Sequence, residues 1–95
     1  MSISAAPFIQ ASTAVDDTAG GTTVLAASPR TFLLIQNIGA NECYVTVDGS
    51  APTTTAGVYL AALGGSITLE KLGNRKAIKA ICSGSETTVV TVISS

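Results

Sequence analysis

The chain has 95 residues, of which 46% are hydrophobic and 12% charged, with a formal net charge of -1 and neither His nor Trp. That length is one domain at most, and the balance excludes a disordered chain, which is polar and highly charged. It also excludes a nucleic-acid binder, which needs a surplus of Lys and Arg, and any chemistry built on a histidine base or histidine metal ligand.

Met1–Gly21 is irregular. It holds Pro7, the apolar pair Phe8-Ile9, a Ser/Thr/Ala run, Asp16-Asp17 and Gly20-Gly21. It reads either as a first strand around Phe8–Val15 or as an extended arm that docks on a neighbour through Phe8 and Ile9. Met1–Gln10 carries no Lys or Arg, so the positive region of a signal peptide is missing. The uncharged runs are broken by Gly, Pro, Ser and Thr, so no membrane span is expected. Synthesis in a cytoplasm is the expectation.

Seven strand-like segments follow: Thr22–Ala27, Thr31–Gln36, Glu42–Val47, Gly57–Ala61, Ser66–Glu70, Ala77–Cys82 and Thr87–Ile93. They are short and rich in β-branched and aromatic residues. Turn chemistry separates them at Asn37–Asn41, Asp48-Gly49, Gly64-Gly65, Gly73-Asn74 and Ser83–Ser85. Asp-Gly is a strong turn signal, and Gly39 and Gly49 are expected to supply positive φ. No window has a sustained helical period with caps. The spacing predicts an all-β fold, a small antiparallel β-sandwich or jelly-roll/barrel of about seven or eight short strands. Residues 21–95 form its single domain and 1–20 the arm or first strand. Ser94 and Ser95, directly after the last segment, suggest a self-contained unit.

In Glu42–Val47, Cys43, Val45 and Val47 share one face and Glu42, Tyr44 and Thr46 the other. Phe32-Leu33-Leu34-Ile35 and the run Val89-Val90 with Val92-Ile93 are apolar on both faces. A strand buried on both faces of a two-layer fold needs a second covering surface, either from subunit packing or from a loop or the N-terminal arm. The low charge favours subunits, because a lone soluble domain carries about twice as many charges. The expected partner interface is Phe8, Ile9, Phe32, Leu34, Val89 and Ile93, and the chain is expected to form a homo-oligomer.

Candidates for chemistry are few. Asp16-Asp17 is half of a calcium site, but calcium wants six to eight oxygens, and a solvated turn explains the pair. Glu42, Glu70 and Glu86 lie on separate segments, so no catalytic carboxylate pair emerges. Lys71, Arg75, Lys76 and Lys79 suit an acidic partner surface or a solvated loop, and no aromatic residue follows Tyr59 to stack on single-stranded nucleic acid. Gly64-Gly65-Ser66 leads into a strand and cannot place a phosphate on a helix N-terminus. Cys43 and Cys82 read as two reduced core thiols or as a disulfide between neighbouring strands. Two Cys without His are too few for a metal. No catalytic residue, metal or cofactor is expected.

The progression Leu33-Leu34-Ile35-Gln36-Asn37-Ile38-Gly39, Cys43-Tyr44-Val45-Thr46-Val47-Asp48-Gly49, Thr53–Thr55, Gly57-Val58-Tyr59-Leu60 and Gly64-Gly65-Ser66-Ile67-Thr68-Leu69 resembles small structural proteins of tailed-bacteriophage particles. The resemblance covers about residues 30–95 and is a pattern of strands and turns without catalytic residues. It implies a β-sandwich or jelly-roll subunit, trimeric and bound to a capsid or tail. The expected function is that of a non-enzymatic capsid cement (decoration) protein of the virion. Its partners are the major capsid protein or other virion proteins, with no nucleic acid and no membrane. The rival expectation is a tail- or fibre-associated adaptor, or a receptor- or carbohydrate-binding module presenting Ser50–Ala56, with only Tyr44 and Tyr59 to supply aromatics.

Overall fold

Period-two alternation of apolar and polar residues gives eight strands and no helix in the computed structural model, which describes residues 9–70 and 76–95. They are β1 (Ile9–Val15), β2 (Thr22–Leu25), β3 (Phe32–Asn37), β4 (Cys43–Thr46), β5 (Val58–Leu60), β6 (Ser66–Glu70), β7 (Ile78–Cys82) and β8 (Thr88–Ser94). Each expected segment gives one strand: β2, β4, β5 and β7 are shorter than expected, β6 has the expected bounds, and β3 and β8 start one residue later and run one residue further, to Asn37 and Ser94. Ile9–Val15 is a strand of the sandwich itself. Residues 1–8, including Phe8, lie outside the described residues, as do Lys71 and Arg75.

The strands form two antiparallel sheets of four, ordered β1-β8-β3-β6 and β2-β7-β4-β5, here called sheets I and II. The pairs β4·β5, β3·β6, β2·β7 and β1·β8 are those of one long hairpin folded at the β4–β5 turn. Rolling that hairpin on itself adds the pairs β3·β8 and β4·β7. The result is the eight-strand jelly roll.

The core is the inward parity of each strand. Leu33 and Ile35 from β3, Val90 and Val92 from β8, Cys43 and Val45 from β4, and Ile78, Ala80 and Cys82 from β7 are all buried. Burial along β8 alternates strictly from Thr88 to Ser94. A bulge between Thr23 and Leu25 turns two consecutive residues of β2, Val24 and Leu25, toward the core.

The connections β1–β2, β3–β4, β5–β6 and β7–β8 gather at one end, and β2–β3 and β4–β5 at the other. Buried Asn37 organises the first end. Its Nδ2 donates to the Asn41 carbonyl (2.8 Å) and the Leu60 carbonyl (3.2 Å), and its Oδ1 accepts from Gly39 N–H (3.1 Å) and Thr88 Oγ1 (2.7 Å). An asparagine amide can make four such bonds, and this one makes all four. Its backbone is held to the β5–β6 connection by Asn37 N–H to Gly65 O and Gly64 N–H to Asn37 O, both 2.8 Å.

Arg30, 5% exposed, closes the other end. Its guanidinium donates to the carbonyls of Ala26 (2.7 Å) and Lys76 (3.0 Å) and to Ser28 Oγ (3.3 Å), tying the β2–β3 connection to the start of β7.

The two glycines expected at positive φ behave differently. Gly49 has φ 82° and turns the chain after Asp48. Gly39 is not among the residues with positive φ. It is needed for close approach instead: a Cβ there would collide with Thr88 Oγ1 and the Val89 backbone.

Replacing Asn37 by Ala leaves the Thr88 hydroxyl, the Gly39 N–H and two carbonyls without their partner. Asn37→Ala should lose about 3 kcal/mol in a chemical-denaturation titration, and Thr88→Val, which removes one of the four bonds, about 1 kcal/mol.

Candidate interaction faces and their chemistry

The outer face of sheet I collects four of the six expected interface residues. Phe32 and Leu34 of β3 and Val89 and Ile93 of β8 have outward parity and are half-buried. They sit on the two central strands, where Leu34 and Ile93 are direct cross-strand partners. Their neighbours on the edge strands are uncharged except for Glu70 of β6, which pairs with Phe32. Gln10 lies opposite Ile93, Ala14 opposite Val89 and Ser12 opposite Thr91 on β1, and Thr68 lies opposite Leu34 on β6. The Ser12 and Thr91 hydroxyls share a 2.9 Å hydrogen bond. The face is therefore an apolar stripe with a hydroxyl-rich margin. Of the other two, Ile9 opens β1 opposite Ser94 and Phe8 lies outside the described residues.

Sheet II has a different outer face. The β4–β5 connection folds back over it, with Thr46 Oγ1 donating to Ser50 O (2.6 Å). Buried Pro52 packs where a Cβ on Gly21 would come within 2.6 Å of its ring. Thr46 and Ile81, outward by register, are consequently buried. Beyond this cover, Tyr44 and Tyr59 are cross-strand partners with ring centroids 5.6 Å apart and tilted by 59°. A cleft of about 300 Å³ opens further along β4 and β5, lined by Val45, Val47 and Val58 together with polar Thr46, Asp48 and Ser50, and by parts of the expected ligand-presenting loop; neither tyrosine lines it.

Charge is confined almost entirely to the ends. Asp16, Asp17, Glu42 and Glu86 lie in the connections of the Asn37 end, which contain no Lys or Arg. The Asp16–Asp17 pair serves its own turns. Asp16 Oδ1 accepts from Thr18 N–H (3.0 Å), and hydrogen bonding from the Thr18 side chain and then its backbone holds the Asp16 carboxyl below the usual range, while Asp17 Oδ2 accepts from Ser85 N–H (2.8 Å). Among the described residues no three His, Cys, Asp or Glu are placed to hold a metal ion. Of the expected basic cluster, Lys76 is exposed and Lys79 lies half-buried on the outer parity of β7.

Cys43 and Cys82 are buried free thiols and direct cross-strand partners on β4 and β7. Burial pushes the Cys43 thiol up to about 12, with help from Cys82 and Glu42. Burial also raises Cys82, reinforced by Glu86, Asp16, Glu42 and Asp17. Both therefore stay protonated and unreactive as nucleophiles.

The sequence reading passed over Asn37 and Arg30 as structural keys. The signal for Asn37 is available: positions 33, 35 and 37 share one face of a strand, so an asparagine falls in an apolar series. Arg30 has no comparable pattern: Ala26 and Ser28 are near it in the chain, but the Lys76 carbonyl that ties it to β7 lies 46 residues away.

The folded chain keeps the Cys43 proton to about 12, whereas an exposed thiol loses it near 9.0. Stability from this group is thus complete below pH 9 and declines as pH rises toward 12. Denaturation midpoints should fall between about pH 8 and about pH 10.5, and Cys43→Ala should reduce that fall. A thiol-specific colorimetric reagent should label neither cysteine until the chain unfolds. No protein-family model and no curated protein matches this chain.

Proposed function

We propose that this chain is a non-enzymatic structural protein of a virus particle: a capsid cement (decoration) protein that stabilises the shell by binding across capsid subunits as a trimer. The observation that carries the reading is the outer face of sheet I, where Phe32, Leu34, Val89 and Ile93 form an uncharged stripe on the two central strands. Apolar residues on a central outer face acquire their full value only when another surface covers them. Burial returns roughly 25 cal/mol per Å² before the cost of association. The folded chain exposes 5230 Å², and a standard interface of about 800 Å² a side would cover roughly a seventh of it. The resemblance to small tailed-phage structural proteins over residues 30–95 supports the same reading.

The mechanism is mechanical. A small subunit seated where several capsid proteins meet adds contact area across their seams, so opening a seam also requires stripping the subunit away. Synthesis in the host cytoplasm followed by assembly onto the particle fits this role.

A second reading rests on the Tyr44–Tyr59 pair. Two neighbouring rings can stack on a sugar, which suits a tail- or fibre-associated adaptor or a receptor- or carbohydrate-binding module.

Purified shells lacking the protein should bind it back at micromolar concentration and melt at a higher temperature. Leu34→Asp should abolish rebinding while leaving the circular-dichroism spectrum unchanged. Failure of the unaltered chain to rebind would count against the cement role. A few copies per particle located at the tail, with glycan binding lost in Tyr59→Ala, would favour the second reading.

A further inference from the structure

The two ends of the jelly roll differ in both charge and relief. At the Asn37 end, Ile38 is 48% exposed and Leu63 is 78% exposed. Leu63 has φ 58°, in the left-handed region that leucine rarely occupies. It is nevertheless fixed: Leu63 N–H donates to Gly39 O (2.9 Å), and Gly64 N–H to Asn37 O (2.8 Å). Ile38 lies between those two accepting residues and donates its own N–H to Val89 O (2.9 Å). The two apolar side chains are thus carried on a backbone clamped to the core through Asn37. A loose tip would lose conformational freedom on docking; this one has lost most of it already.

The other end of β4 and β5 holds the matching relief. There the cleft of about 300 Å³ is open, with Val45, Val47, Ala56 and Val58 in its lining beside polar Thr46 and Asp48. It has room for an aliphatic side chain.

Charge points the same way. The tip shares its end with Asp16, Asp17, Glu42 and Glu86, and their common action on the Cys82 thiol shows that they act on one region. On the cleft side, among the described residues, Lys76 is exposed and Lys79 pairs with Thr46 of the cleft wall, against the one acid Asp48 in the lining. Near the cleft, Lys76 lies close enough to help lower the Asp48 carboxyl, behind the larger effect of Ser50. Between the ends, β1, β2 and β5 carry no charge at all.

We propose that copies of this chain associate head to tail, with the Ile38–Leu63 tip of one copy seated in the Val45–Val58 cleft of the next. The acidic connections around the tip then face Lys76 and Lys79 beside the neighbour's cleft. Such a contact is heterologous: it closes into a ring where the rotation returns to its start, and otherwise continues as a filament. It is independent of shell binding, which the sheet I face would mediate.

The test is the solution mass of the full chain by light scattering and sedimentation velocity. At about 50 mM salt the mass should rise with concentration, and raising salt to about 500 mM should lower it. Leu63→Asp blocks the tip and Ala56→Glu blocks the cleft. Both sites are exposed, and circular dichroism checks that each variant folds. Ile38→Asp serves as a second tip block. Each variant alone should associate more than about tenfold more weakly, since an apolar side chain that would be buried is lost. An equimolar mixture of Leu63→Asp and Ala56→Glu retains one good tip and one good cleft, so it should form a dimer and stop there. A chain that stays monomeric up to about 0.5 mM, well above the micromolar affinity of a modest interface, would overturn the proposal. So would tip variants that assemble like the unaltered chain, or a mixture that forms no dimer.

Discussion

A single buried amide sets the condition that the rest of the fold must satisfy. Asn37 ends β3 at an inward position, where an unpaired polar group would be expensive. Its four side-chain bonds reach the β3–β4 connection, the end of β5 and the start of β8. These partners are distant in sequence and meet only if the long hairpin has rolled up. A one-residue slip of β3 would turn Asn37 outward and Gln36 inward, orphaning the acceptors and donors together. The amide therefore favours one register among those that hydrophobic alternation alone would tolerate.

The same clamp connects fold to surface. The backbone that carries Ile38 and Leu63 is held by the atoms around Asn37, so their exposed side chains project from a stiff base. Gly39 completes the arrangement, because any side chain there would meet Thr88 and Val89. At the opposite end Arg30 does comparable work with carbonyl acceptors. With both ends fastened by polar groups, the small core between them can consist of modest aliphatic residues and two thiols.

What remains outside is unusual in its distribution. Most charged groups stand in the connections, while the outer face of sheet I bears Phe32, Leu34, Val89 and Ile93 among hydroxyl and amide neighbours, with Glu70 at its β6 edge. A surface of this kind gains little from water and much from another protein. That is why the proposed role is one of holding proteins together, and why the charged ends are better suited to orienting copies than to chemistry.

The strands and most turns were legible in the residues, because period-two alternation and turn-forming Gly, Asn and Asp are local signals. Phe32 and Leu34 announced an apolar outer face for the same reason: in a strand, neighbouring residues must point opposite ways. Other features depended on which strands became neighbours. The sequence reading allowed Cys43 and Cys82 as separate thiols or a bonded pair; the roll makes them cross-strand partners, and both are free. Thr46 and Ile81 have outward parity, yet the folded-back β4–β5 connection buries them. Gly39 looked like a residue needed for its φ, and close packing against β8 is the true constraint. Local chemistry thus determined where this chain would be extended and where it would turn. Only the tertiary structure decided which atoms would meet across the roll, since those meetings join residues whose separation in the chain carries no periodic trace.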